Sequence, residues 1–351
     1  MISCTFFHKT TDFRTIKIIS KILGSFSKCI ATFLGRHYNG TKCLNRKEMR
    51  HMECTNVKFD GVMSALVSCI DENENVKEAS MRKIMNWHLK EGFSGFYLTG
   101  GTGEGPVLQK ETRKRIVEIA KDEAGDRCKL IAHVGAIDLT TAKELAKHAG
   151  EVGVDAISSV PPFFFGYGEE QIRDYYKALA DASGLPLLMY ASPLSGVTIT
   201  WDMVDRLMDI PGMIGLKWTS YDYFTMHRIK ELRGGNINVI NGPDECLLCG
   251  LSMGADGGIG ATYNVMPKLF TQVYENFKAG NMAAAQEAQF KANKLIALLL
   301  KFGVVCGIKD ILDMLGYDCG YQVYPQKRFK DDEREAFHAA LKEIHFEEEY
   351  I

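Results

Sequence analysis

One amine stands alone in the apolar run Met213-Ile214-Gly215-Leu216-Lys217-Trp218. A lysine carried on such a run is poorly hydrated, the setting in which its amine serves as a nucleophile toward carbonyls. The plainer alternative is a lysine whose stem lies on apolar surface while its head reaches water or a carboxylate. A second run, Leu187-Leu188-Met189-Tyr190, closes on a phenol; alone, that is the habit of a core tyrosine with its hydroxyl at the surface. Side by side, the two would meet the needs of Schiff-base chemistry, the amine attacking a carbonyl and the phenol moving protons. Gly100-Gly101-Thr102-Gly103-Glu104 presents backbone N–H groups at low steric cost, suited to a carboxylate or phosphate, or is simply a tight turn. It has neither the Gly-Lys-Ser/Thr of a phosphate-binding P-loop nor dinucleotide-binding glycine spacing. Asn241-Gly242-Pro243-Asp244-Glu245 and Gly260-Ala261-Thr262-Tyr263-Asn264 add further polar groups after apolar stretches.

These groups need a scaffold that gathers strand ends on one rim. From residue 57 onward, short apolar runs alternate with amphipathic stretches: Val62–Ser68 then Ala79–Glu91, Gly95–Leu98 then Glu111–Glu123, Lys129–Val134 then Thr140–Gly150, and Ala156–Val160 then Glu169–Ser183. The rhythm continues with Pro186–Tyr190 then Trp201–Leu207, Met213–Lys217 then Phe224–Leu232, Ile237–Ile240 then Glu245–Ser252, and Gly257–Ile259 then Val265–Phe277. Strands this short and apolar, each followed by a helix, imply a parallel sheet buried on both faces. Eight such units predict an α/β fold of the (β/α)₈ TIM-barrel type over residues 57–280, with the chemistry at the C-terminal ends of the strands. Helical patterns near 281–301, 304–315 and 330–344 predict a three-helix extension over 281–351.

Composition sets outer bounds. The chain has 351 residues, 46% hydrophobic and 25% charged, with a net charge of -2; that balance argues against a nucleic-acid partner. No apolar run reaches about 18 residues, so no membrane span is expected. Ten cysteines without a secretory framework read as reduced, buried thiols of a cytoplasmic protein. The pair Cys246 and Cys249 reads as two core thiols of a helix; zinc would want further ligands at suitable spacing, and no metal is expected. Residues 1–51 stand apart, with ten Lys or Arg against Asp12 and Glu48, which leaves 32 basic and 42 acidic residues in the remainder. This basic leader reads as non-native upstream translation or a disordered segment, with translation beginning at Met52. A transit peptide is the competing reading; a secretory signal is disfavoured because Lys17, Lys21 and Lys28 interrupt its apolar stretch.

Several of these motifs, dispersed and in the same order, resemble the dihydrodipicolinate synthase / N-acetylneuraminate lyase family: Gly100-Gly101-Thr102-Gly103-Glu104, Tyr190, Gly215-Leu216-Lys217 and Gly254-Ala255-Asp256-Gly257-Gly258-Ile259-Gly260. The resemblance runs from about Phe59 to the C-terminus. It is strongest to the lyase branch, through Lys217-Trp218-Thr219-Ser220, Asn241 to Glu245 and Gly257 to Asn264. Synthases carry an arginine shortly after the tyrosine, and Tyr190-Ala191-Ser192-Pro193-Leu194-Ser195-Gly196 has none. The resemblance implies a class I, pyruvate-dependent aldolase without cofactor, acting in a homotetramer on sialic acid to release N-acetylmannosamine and pyruvate. By it, Lys217 forms the imine and Tyr190 shuttles the proton. Gly101 and Thr102 hold the keto-acid carboxylate, and Thr219, Gly242, Asp244, Glu245 and Gly260 hold the sugar chain. The chain departs from the pattern at three places. Gly101 replaces a hydroxyl residue, Pro162-Phe163-Phe164-Phe165 lacks the tyrosine that reaches a neighbouring subunit, and Ala261 replaces a serine. Tyr167 is a candidate substitute for the missing tyrosine. A 2-keto-3-deoxy sugar acid aldolase, or a keto-acid-binding barrel without catalysis, are the alternatives left open.

Overall fold

The computed structural model describes residues 57–351; the expectations for the leader, and for a start at Met52, lie outside the described residues. Eight parallel strands close in sequence order into a barrel: β1 Gly61–Ala65, β2 Gly95–Leu98, β3 Lys129–His133, β4 Ala156–Ser159, β5 Leu187–Ala191, β6 Met213–Trp218, β7 Asn238–Asn241 and β8 Gly257–Gly260. β1 pairs with both β2 and β8, which completes the ring. The TIM-barrel expectation holds. Strand side chains point alternately to two faces, and both faces are apolar. Met63, Tyr97, Ile131, Ala156, Leu188, Ile214, Ile240 and Ile259 fill the lumen, while Leu98, Leu130, Ile157, Leu216 and Val239 pack beneath the helices.

The ring of helices is α1 Glu78–Lys90, α2 Lys110–Ala124, α3 Leu139–Val152, α4 Glu169–Ser183, α5 Trp201–Leu207, α6 Tyr223–Glu231, α7 Leu247–Ser252 and α8 Pro267–Lys278. Several begin on a side chain that accepts from the first turn: Asp138 from Thr141 N, Thr200 from Met203 N and Asp222 from Thr225 N. Such caps satisfy amides that the helix itself leaves unpaired. Gly153 and Gly184 end α3 and α4 in the left-handed conformation, which lacks the steric penalty a Cβ would bring.

The predicted β1 runs three residues beyond its observed end, and the helices after β7 and β8 start two residues later than predicted. There, single 3-10 turns at Asp244–Cys246 and Thr262–Val265 precede the α-helices. Pro267 begins α8, where its missing N–H is harmless. The extension comprises α9 Met282–Phe302, α10 Val304–Met314 and α11 Asp331–Glu343, as expected, plus a single turn, α12 Phe346–Glu349. α9 packs on α8, and α10 lies against the 3-10 turn that follows β8, at the rim where the strands end. Among the described residues no helix is long and apolar enough to cross a membrane. One expectation fails here: Cys246 is half-buried and Cys249 is exposed. The 3-10 turn starting at Asp244 turns the helix so that Leu247, Gly250 and Leu251 face inward instead.

Candidate active site

Lys217 reaches the lumen because β6 is irregular. The pairing of β5 with β6 runs Leu187↔Met213, then Leu188↔Gly215, so Ile214 is an extra residue in β6. A bulge of this kind shifts the phase of every side chain that follows. Ile214 faces the lumen and Leu216 faces the helices; Lys217 therefore returns to the lumen, in register with Tyr190. Gly215 makes the irregularity possible. Its φ is +156°, and a Cβ there would sit 1.9 Å from the carbonyl oxygen of Asn238.

The side chain of Lys217 is buried, with 6% of the residue exposed. Its Nζ lies 4.7 Å from the ring centroid of Tyr190 and 4.9 Å from that of Tyr97. No carboxylate of the described residues forms an ion pair with it. The plainer reading, a lysine paired with an acid, is thus not what the fold provides. Two electron-rich ring faces hold the amine and leave its lone pair free for a carbonyl whenever the amine is neutral.

Tyr190 is half-buried, its ring meeting Tyr97 and His133 edge-on at 6.0 and 6.1 Å. Behind this pair lies a polar underlayer that the sequence reading missed. Tyr97 donates from its hydroxyl to Ser158 Oγ at 3.0 Å. The guanidinium of the buried Arg113 donates to the carbonyls of His133 and Gly135 at 2.8 and 2.9 Å. Burial, aided by Arg113, pushes the His133 imidazole down to about 3, so the ring is neutral. Burial also holds the Tyr97 phenol well above the usual tyrosine range; it stays protonated and keeps its bond to Ser158. A polar residue inside an otherwise apolar strand, Tyr97 in β2 and His133 in β3, was the available signal.

The loop after β2 is tied to this layer. Thr99 and Glu104 bracket it, both with left-handed φ of 52° and 55°, a conformation ordinary residues hold only when the surroundings impose it. Thr99 donates to the His133 carbonyl at 2.9 Å. A Cβ on Gly100 would strike the Tyr97 ring at 2.5 Å, so glycine there allows the loop to lie over the ring that holds Lys217. Gly101 is exposed with nothing within 4 Å of its missing Cβ, and Thr102 is half-buried beside it.

The expected sugar contacts form two groups. Asp244 is buried, and its Oδ2 accepts from Thr262 N at 2.6 Å and Thr262 Oγ1 at 2.7 Å. A Cβ on Gly260 would meet Asp244 Oδ1 at 2.4 Å, which brings those two positions together. Burial pushes the Asp244 carboxyl up to about 6, with Thr262 and Lys217 pulling the other way. Gly242 faces Thr219, whose Oγ1 would lie 2.0 Å from an added Cβ; that hydroxyl is buried without a hydrogen-bond partner. Glu245 accepts a hydrogen bond from Tyr221, an exposed tyrosine of the loop after β6 that was not anticipated. Tyr167 does not join Tyr190: its ring sits edge-on to Phe165 at 6.4 Å. Phe164, 81% exposed, has a left-handed φ of 84°.

Residues 58–344 match the Dihydrodipicolinate synthetase family. The chain belongs to this family. Curated relatives include N-acetylneuraminate lyases of Escherichia fergusonii and Escherichia coli K12. Each is 39% identical over 254 residues, spanning 72% of this chain and 85% of the relative. Among solved structures, a Clostridium difficile CdNal described in complex with mannosamine superposes with a TM-score of 0.78 at 34% identity, over 84% of this chain and all of that one. The Ruminococcus gnavus sialic acid aldolase gives 0.78 at 29% identity over 84% of this chain and all of that one. As a family member the chain is a class I aldolase of the Schiff-base type.

Proposed function

We propose that this protein is an N-acetylneuraminate lyase that cleaves open-chain sialic acid into N-acetylmannosamine and pyruvate. The observation that carries the reading is the buried Lys217 amine, unpaired with any described carboxylate and set between the rings of Tyr97 and Tyr190. The naming of the relatives supports the substrate. The amine adds to the C2 carbonyl and water leaves, which forms the imine. The C4 hydroxyl gives its proton to the Tyr190 hydroxyl as that hydroxyl hands its own proton on to water or the substrate carboxylate, the C3–C4 bond breaks, and its electron pair flows into the protonated imine to give an enamine. N-acetylmannosamine departs as the aldehyde; a proton returns to C3, and water hydrolyses the imine to pyruvate and free lysine.

In this reading Gly101, Thr102 and the neighbouring amides hold the carboxylate of the keto acid, while Thr219, Gly242, Asp244, Glu245 and Gly260 hold the hydroxylated chain. The unpartnered Thr219 hydroxyl suits a substrate hydroxyl, because a buried polar group left unpaired is costly. Gly101 and Phe164 bring no hydroxyl to Tyr190, so Thr102, water or the substrate's own carboxylate completes the proton path. A smaller 2-keto-3-deoxy sugar acid would use the same Lys217 and Tyr190; the buried charge kept at Asp244 favours the longer, polyhydroxylated substrate. The active form is read as a homotetramer in the cytoplasm. The exposed pair Phe164 and Phe165, 81% and 67% accessible in one chain, supports burial against another copy, and the free thiols support a reducing compartment.

The test couples pyruvate release from N-acetylneuraminate to lactate dehydrogenase, beside a Lys217→Ala control. Release by the natural chain and none above background by Lys217→Ala is the expected result. Equal release by both would remove Lys217 from the mechanism, and no release by either would remove sialic acid as substrate.

A further inference from the structure

Outside the lumen, two thiols meet at the junction of barrel and extension. Cys69 follows β1, Cys319 follows α10, and their sulfurs are 3.5 Å apart with both residues fully buried. Backbone geometry puts them in register: Ile70 and Gly320 form a parallel bridge, and Tyr321 N donates to the Ile70 carbonyl at 3.2 Å. Cys69 and Cys319 are the preceding pair. Paired backbones lie about 4.8 Å apart, inside the Cα separation of roughly 4.4–6.8 Å that a disulfide spans. Residues 315–330 carry no helix, and Tyr321 and Tyr324 are exposed there, so local opening of this stretch admits a small oxidant.

Both sides of the junction hold the loop after β2. Ser68, next to Cys69, donates from Oγ to the Gly103 carbonyl at 2.6 Å. On the other side Val323 N donates to Glu104 Oε2 at 2.7 Å, and Lys309 pairs with Glu104 Oε1 at 2.8 Å. We infer that Cys69 and Cys319 form an oxidation site at which a peroxide closes a reversible disulfide and thereby alters the loop that takes the keto-acid carboxylate. One thiol reduces the peroxide O–O bond and becomes a sulfenic acid, with release of water. The second thiol attacks that sulfur; the S–S bond forms and a second water leaves. In all, two thiols and one hydrogen peroxide give one disulfide and two waters. The sulfurs close from 3.5 Å to about 2.05 Å, drawing together the segments that grip Gly103 and Glu104. The effect on the loop rests on the lyase reading of that loop, whereas the cross-link does not.

Reduced full-length protein, treated with hydrogen peroxide, is alkylated after unfolding and digested without reductant. The expected product joins the Cys69 and Cys319 peptides with the loss of two hydrogens, and dithiothreitol reverses it. Borohydride trapping of pyruvate on Lys217, titrated before and after, is expected to show a change of roughly threefold or more in half-saturating pyruvate. Cys319→Ala, or Cys69→Ala should the first fold poorly, is expected to show neither effect. Alkylation of both thiols after peroxide, or cross-links confined to Cys246 and Cys249, overturns the proposal. A Cys69–Cys319 cross-link that leaves the pyruvate titration unmoved overturns the coupling to the loop. Should reduced protein trap no pyruvate, the lyase reading fails, and the cross-link by mass still decides the oxidation site.

Discussion

Asp244 keeps a carboxylate inside the barrel mouth, where Thr262 donates to it twice. Its folded carboxyl titrates near 6 against 3.8 for the free side chain. Between those values the folded protein keeps a proton that the unfolded chain has lost, so stability falls as pH rises through this window. Above it the full cost stands, on the order of 3 kcal/mol. Asp244→Asn is therefore expected to melt higher relative to the natural chain as pH goes from 4 to 6.5, with the gap constant beyond. Melting curves across pH check this, and a gap that does not vary would contradict it. The same variant should lose N-acetylneuraminate cleavage and retain pyruvate trapping on Lys217. His133 acts with the opposite dependence: its depressed value of about 3 means the folded state resists the proton that the unfolded chain accepts, so stability declines below about 6.5.

The element that turns Lys217 into the lumen is β6. Simple alternation from Ile214 would bring Leu216 into the lumen and turn Lys217 toward the helices. The extra residue opposite Leu187 and Leu188 reverses this. The Cβ of Gly215→Ala would sit 1.9 Å from the Asn238 carbonyl oxygen, so either β6 separates from β7 or the bulge is lost. The expected cost is at least about 3 kcal/mol in urea unfolding, with pyruvate trapping abolished in whatever protein remains folded. Full trapping in that variant would show that Lys217 does not depend on the bulge. The apolar runs made β5 and β6, and their ends at Tyr190 and Lys217, legible in advance. The bulge was not, because one extra residue in a six-residue strand leaves no mark on hydrophobic pattern.

On the scale of the whole molecule, the extension is joined to the barrel rim through a buried ion pair. Lys309 of α10 meets Glu104 of the β2 loop at 2.8 Å, with 3% and 2% of their side chains exposed. Removing one partner of such a pair leaves the other charge buried and unpaired, at about 3–5 kcal/mol. Lys309→Met is expected to destabilise by that amount, and Glu104→Gln added to it should recover much of the loss. Chemical denaturation of both single variants, the double variant and the natural chain reads this directly; additive losses would deny the pairing. The three long helices of the extension were visible as amphipathic stretches. Their attachment was not, since Glu104 and Lys309 are far apart in sequence and each alone looks like an ordinary charged residue.

Sequence by itself determined the eight strand-helix units, the TIM barrel, and the placement of Lys217, Tyr190, Asp244 and Glu245 at strand ends, because hydrophobic period and strand length act locally. It also marked the dispersed glycine motifs of the family. Only the tertiary structure decided which way Lys217 points, that the rings of Tyr97 and Tyr190 flank its amine, and that Arg113 and His133 underlie them. It alone brought Cys69 to Cys319 and Glu104 to Lys309. Those outcomes depend on a phase shift inside one strand and on contacts between distant segments, and closure of the barrel creates both.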